Sequence, residues 1–249
     1  MKINAFIPVR MSSSRFPGKP LTKLMNITML EHVWQRSKLS DVDETYIALC
    51  DKETIDICKK IGAKYIITSK KHAMCMDRIA EAADKKKSDI IVTVQGDEPL
   101  IKPEMINLTI KNLLKKKNKL FCTTLAQKIN SKKEINNTNR VKMIWNKHNE
   151  VIYISREAIP SKSKYNKKID YFKMVCVYTM ERKNLNIFQK FGMSRNEKIE
   201  SIDMLRIIDN GKSLGVSIID GQVENIDVKS DIQKVIKILK SDTLVKKYI

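Results

Sequence analysis

The sequence predicts an α/β fold, a mostly parallel sheet with helices on both faces, and three observations carry that reading. Strand-length apolar runs alternate with helix-length segments through the first half of the chain. One run, Asp89–Val94, reads as fully apolar, the pattern of a strand buried on both sides. Two loops rich in chemical groups, 10–19 and 95–97, each follow such a run, at the carboxyl edge where open α/β sheets take their ligands.

In order along the chain, Lys2–Val9 is an apolar strand. Thr28–Ser37 is a helix with Met29, Leu30, Val33 and Trp34 on one face. Thr45–Cys50 is a short strand, Lys52–Ile61 a helix closed by Gly62, and Lys64–Thr68 the next strand. Met76–Lys86 is helical, Asp89–Val94 is the central strand, and Pro103 opens a helix that runs to Lys117. The second half is less regular. Leu120–Ala126 is a strand, Asn130–Asn139 a polar loop, and Arg140–Trp145 with Val151–Ser155 a β-pair around the turn 146–150. Ile159–Lys168 is a loop and Tyr171–Met180 an apolar strand. Helices over Glu181–Phe191 and Glu197–Asn210 end at Gly192 and Gly211. Leu214–Ile219 is the last strand, and Ser230 caps a final helix to Lys240. No internal repeat or linker separates a second domain, so 1–249 reads as a single domain with a small β arm at 139–180.

The 249 residues are 42% hydrophobic, enough for a substantial core and too many for a disordered chain. No apolar stretch reaches the roughly twenty residues that span a bilayer, and Lys2 enters a strand without a secretory pattern. The five cysteines (50, 58, 75, 122 and 176) have no CxxC spacing and read as reduced thiols, which fits a cytoplasmic location. A net charge of +20 raises the possibility of nucleic acid. Yet only nine of the 48 basic residues are arginine, and the lysines are scattered without interleaved aromatics. A lysine surface that draws in small anions fits better, with neither nucleic acid nor membrane as partner.

The loop Arg10-Met-Ser-Ser13-Ser-Arg15-Phe-Pro17-Gly18-Lys19-Pro20 can wrap polyanionic oxygens, since guanidinium forks chelate phosphate and lysine adds a mobile charge. It is read as a triphosphate cradle; an ordinary basic surface loop is the alternative. Gln95-Gly96-Asp97-Glu98-Pro99 ends the central strand. An acid there, facing phosphates, can hold Mg²⁺, and Gly96 lets the backbone approach a ligand closely. The plain alternative is a β-turn with an exposed acid.

These two motifs together resemble the 3-deoxy-manno-octulosonate (Kdo) cytidylyltransferases, and the resemblance continues nearly end to end. It runs through His72–Ala80, Arg140-Val-Lys142, Tyr153-Ile-Ser155-Arg156 with Ile159-Pro160, Glu200–Arg206 and Asn225-Ile-Asp227 to Asp231. The resemblance implies a Rossmann-like nucleotidyltransferase fold, Mg²⁺ as cofactor, a homodimer, and transfer of CMP from CTP to a small acid acceptor, a Kdo-like 3-deoxy-2-ulosonic sugar, with release of pyrophosphate in lipopolysaccharide biosynthesis. It implies that Arg10, Ser13, Arg15, Lys19, Arg78 and Gln95 bind CTP, and that Lys19, Asp97 and Asp227 are catalytic, with the two aspartates holding the metal. It places Arg156, Lys173, Met174, Glu200, Asp203, Met204, Met74 and Met76 at the acceptor. Four of these are methionine where the family has Ser, Thr, His and Gln. A thioether cannot read a polyol as those groups do, so either these methionines pack in cores or the acceptor is less hydroxylated than Kdo. A non-sugar acid such as a phosphonate, or a catalytically inactive nucleotide-binding homologue, remain alternatives. His72 is given no catalytic role.

Overall fold

The computed structural model describes residues 1–12 and 15–249. The chain divides into two compact units where the sequence was read as one domain: Met1–Asn107 with Val223–Ile249, and Leu108–Gln222.

The first unit is built on four parallel strands in the order β6-β1-β4-β5. β1 (Ile3–Pro8) leads through the loop 9–18 to a short 3₁₀ turn, Lys19–Leu21, and a two-strand ribbon of β2 (Lys23–Leu24) and β3 (Ile27–Thr28). That ribbon was not expected from sequence, because two-residue strands carry no periodicity. α1 (Met29–Lys38) follows, its Thr28 hydroxyl accepting from the Glu31 N–H as N-cap. Then come β4 (Glu44–Leu49), α2 (Lys52–Ile61), β5 (Tyr65–Ile67), α3 (Cys75–Asp84) and β6 (Ile90–Val94). Gly62 ends α2 at φ 69°, the left-handed conformation its lack of a Cβ permits. Successive residues of β1 and β6 are buried without alternation, so both faces of the sheet are covered. α4 (Pro103–Lys115) carries the chain out of this unit.

The second unit contains β7 (Cys122–Ile129), a single-turn α5 (Lys132–Ile135) inside the expected loop, β8 (Lys142–Trp145), β9 (Val151–Ser155) and β10 (Tyr171–Glu181). It continues with α6 (Arg182–Phe191), α7 (Arg195–Glu200), α8 (Leu205–Asp209) and β11 (Leu214–Ile219). β10 runs antiparallel to β7 with a register shift between Val175 and Thr179, while β11 runs parallel on the other side of β7. Within the 139–180 segment, read as an arm or dimer contact, β10 lies in the sheet and the β8–β9 pair extends it. The single helix expected over Glu197–Asn210 is two helices, broken at Ser201 with φ 55°.

After β11 the chain returns to the first unit and ends in α9 (Asp231–Ser241) and a 3₁₀ turn, Thr243–Lys247. Ser230 makes no capping bond. The Asp231 carboxylate instead turns back to accept from the N–H groups of Asp227 and Val228, at 2.8 and 3.1 Å. Among the described residues, no helix is long and apolar enough to cross a membrane.

Candidate active site

The carboxyl edge of the first unit's sheet holds a cavity of about 200 Å³. Its walls include Arg10, Arg15, Lys19, Arg78, Gln95 and Asp97, all predicted from sequence. Their convergence follows from the ends of the strands. The backbone leaving β1 stays paired to β4 through the Val9 N–H and the Ala48 carbonyl (2.8 Å). The Met11 N–H is then held by Asp51 (2.8 Å), and the loop closes where the Gly18 N–H meets the Met11 carbonyl (3.1 Å). Gly18 takes φ 72°, a conformation that costs a residue with a Cβ, and delivers Lys19 into the 3₁₀ turn. The predicted contact Ser13 lies outside the described residues.

Lys19 is the hub. Its ammonium donates to Asp97 Oδ2 at 2.7 Å and to the Ile226 carbonyl at 2.9 Å. Burial alone would lower its pKa, but the adjoining Asp97 carboxylate, with Asp227 adding to it, raises the pKa above the ordinary lysine value against the opposition of Arg15. Asp227 is buried. Its carboxylate lies 3.5 Å from Arg15 Nη2 and accepts from the Asn225 amide at 2.6 Å. The Ile226 N–H donates to the Asp97 carbonyl (3.1 Å), which fixes the 225–228 segment beside Asp97. Arg78 is buried and donates to the Thr68 hydroxyl, and the Gln95 amide donates to Cys75 Sγ at 2.6 Å. A Cβ on Gly96 would stand 2.9 Å from the Pro8 carbonyl oxygen, so this glycine serves the close approach of two strand ends at the cavity wall.

The expected acceptor residues do not gather in this cavity. Met74 alone of them lines it. Met76 is fully buried against the Thr93 hydroxyl, Met204 is fully buried, and Met174 is buried with the Tyr178 hydroxyl 4.0 Å from its sulfur. These three pack as core, the first of the two alternatives the sequence left open for the methionines. Lys173 and Asp203 are also buried in the second unit. Arg156 and Glu200 do come together there: the Glu200 carboxylate accepts from the Ser155 hydroxyl (2.6 Å) and the Arg156 N–H (2.9 Å). The Arg156 guanidinium donates to the carbonyls of Glu200, Thr138 and Ser201, leaving two of its five N–H groups. The fully buried Lys142, which the sequence analysis placed in a motif but gave no role, donates to the carbonyls of Asn137, Arg140 and Arg156, and its burial lowers its pKa. His72 also lines the first unit's cavity; its place in the His72–Ala80 motif was the available signal.

The family model described as Cytidylyltransferase matches residues 4–225. The chain belongs to that family. This cytidylyltransferase is 36% identical over 245 residues to the 3-deoxy-manno-octulosonate cytidylyltransferase of Fusobacterium nucleatum, an alignment covering 98% of the chain and 99% of the relative. It is 32% identical to the 8-amino-3,8-dideoxy-manno-octulosonate cytidylyltransferase of Shewanella frigidimarina, over 94% of the chain and 97% of the relative. Among solved structures, it matches CMP:2-keto-3-deoxy-manno-octonic acid synthetase complexed with CTP at a TM-score of 0.88 and 28% identity, covering 97% and 99% of the two chains. The cytidylyltransferase is thus a nucleotidyl-transferring enzyme with a mixed α/β fold and a mostly parallel sheet.

Proposed function

We propose that the chain transfers CMP from CTP to a 3-deoxy-2-ulosonic acid of the Kdo class, releasing pyrophosphate. One observation carries this reading: Arg10, Arg15, Lys19 and Arg78 converge with Asp97 on a single cavity, with Asp227 held against Arg15. The relatives' names supply the acceptor class.

In this reading the guanidinium groups and Lys19 bind and orient the triphosphate, so the acceptor hydroxyl meets the α-phosphorus in line and pyrophosphate departs from the opposite side. The donor set fits a divalent cation. Two carboxylates converge beside one lysine, and the raised pKa of that lysine reports their joint negative potential. Mg²⁺ takes one or two carboxylates and completes its shell with phosphate oxygens and water, and two aspartates can supply that share. Asp97 and Asp227 would hold it, and it would supply Lewis-acid neutralisation of the phosphate oxygens. We place the enzyme in the cytoplasm, where CTP is made, and read it as a homodimer joined through the 139–180 segment, whose β9 exposes Ile152.

Pyrophosphate release from CTP should be measured with Kdo, 8-amino-3,8-dideoxy-Kdo, a phosphonate and unrelated sugar acids. Fastest release with either ulosonic acid is expected. Preference for the phosphonate would replace the acceptor class, and CTP binding without release from any acid would mark a binding protein. A monomer in sedimentation would remove the dimer.

A further inference from the structure

The first unit's cavity is crowded with donors, namely Arg10, Arg15, Lys19 and Arg78. Cytidine triphosphate answers them with phosphate and carbonyl oxygens, but it also carries donors of its own, the ribose hydroxyls and the exocyclic amine of the base. Asp97 gives one oxygen to Lys19 and the Gln95 NH₂ faces Cys75 Sγ, so the second Asp97 oxygen and Gln95 Oε1 can accept. A ring nitrogen of His72 is a further acceptor in the lining.

His72 precedes Ala73, whose carbonyl accepts from Arg10 Nη1 at 3.3 Å. His72 Nε2 lies 2.6 Å from Glu81 Oε2. The same carboxylate accepts from the Ser69 N–H (2.8 Å) and from Lys85 Nζ (2.8 Å). Burial would raise the Glu81 carboxyl, but Lys85, the Ser69 N–H and His72 outweigh that and bring it to about 2. An ionised carboxylate only accepts, so Nε2 carries the hydrogen. In the neutral imidazole the other nitrogen, Nδ1, is the acceptor. Among the described residues the ring makes no other hydrogen bond.

We propose that His72 reads the nucleoside: its Nδ1 accepts a hydrogen bond from a ribose hydroxyl or the cytosine amine, and Glu81 is the positioning residue that fixes the tautomer. This rests on the cavity being the CTP site. Two substitutions separate the ring's two nitrogens. A glutamine amide reaches the Nε2 position and can keep the bond to Glu81 without an acceptor at Nδ1. An asparagine carbonyl stands near Nδ1 and keeps the acceptor without the bond to Glu81.

Calorimetry in metal-free buffer with CTP, UTP, 2′-deoxy-CTP and 3′-deoxy-CTP tests the assignment. The wild type should prefer CTP over the analogue lacking the relevant donor by about three- to tenfold, the worth of one hydrogen bond. His72→Gln should weaken CTP by the same factor and abolish that one preference, which also identifies the donor. His72→Asn should keep both, and Glu81→Gln, able to serve either tautomer, should give an intermediate ratio. If His72→Gln retains every ratio, or if His72→Asn is the weaker of the two, the assignment is wrong. A wild type that binds no CTP would instead refute the reading of the cavity.

Discussion

Replacing Asp97 by asparagine should have opposite effects on CTP binding with and without a divalent cation. Asparagine is isosteric, and the main-chain bond from the Ile226 N–H to the residue 97 carbonyl survives, so the 225–228 segment stays in place. Lys19 changes most: its ammonium now sits 2.7 Å from a carboxylate that competes with phosphate for it. Hydrogen bonds to charged groups contribute about 1.5–3 kcal/mol. The side chains of Lys19 and Asp97 are 14% and 27% exposed, so solvent screening favours the lower end. Freeing Lys19 and removing one negative charge should tighten CTP by roughly 1–2 kcal/mol in EDTA, about five- to thirtyfold. Turnover should move the other way. If Asp97 is one of the two carboxylates proposed to hold the metal, its loss forfeits several kcal/mol of transition-state stabilisation, and at 1.36 kcal/mol per decade that is a fall of at least about a thousandfold. Calorimetry in EDTA and in Mg²⁺, with pyrophosphate release alongside, measures both. Tenfold weaker CTP binding in EDTA would show that Asp97 works by holding Lys19 in position. Turnover within tenfold of wild type would remove it from the metal site.

Gly96→Ala should destabilise the fold by about 1–3 kcal/mol, since the new Cβ meets the Pro8 carbonyl oxygen at 2.9 Å and both atoms belong to strand ends that cannot swing away; unchanged thermal stability would contradict this. Tyr248→Phe should cost about 2–4 kcal/mol in urea unfolding, because the hydroxyl accepts from the fully buried Arg36 and bonds His32, and both would lose a partner. A loss under about 0.5 kcal/mol, the range of an ordinary surface change, would mean that the 243–248 turn does not hold α1. The same cluster predicts a pH dependence: burial first, then Arg36, brings the His32 pKa from 6.5 down to about 4, outweighing the Leu24 carbonyl and Asp242. The folded state then binds fewer protons than the unfolded state between those values. Stability is complete above about 6.5 and falls as pH drops toward about 4, by at most roughly 3 kcal/mol. A flat urea midpoint over that window would refute it.

The parallel half of the fold was legible because buried strands and capped helices write their pattern locally. Gly62 ends its helix where the sequence placed the end, and Asp89–Val94 contains β6. Features set by contacts distant in sequence were less visible. Lys19 meets the Ile226 carbonyl across 207 positions, and nothing in either segment's periodicity announces the other. Only the motif resemblance linked them. The helix over 197–210 was read as continuous because its composition is helical; the left-handed Ser201 that divides it carries no glycine signal. Ser230 occupies the N-cap position that its residue type suggested but makes no capping bond, and the Asp231 carboxylate accepts from the Asp227 and Val228 N–H groups before the helix, which anchors Asp227.

The methionines mark the limit of reading a pocket from a motif. A side chain that has lost its hydrogen-bonding group changes recognition only if it reaches the ligand; Met76 and Met204 are fully buried and Met174 is nearly so. There a thioether fills core volume, and the polar group it replaces would have needed a buried partner of its own. Met74 is different: it lines the first unit's cavity, between His72 and the Cys75 that holds the Gln95 amide. Of the four methionines it is the one placed to alter what that cavity binds, and under the proposed function that is the nucleotide before the acceptor.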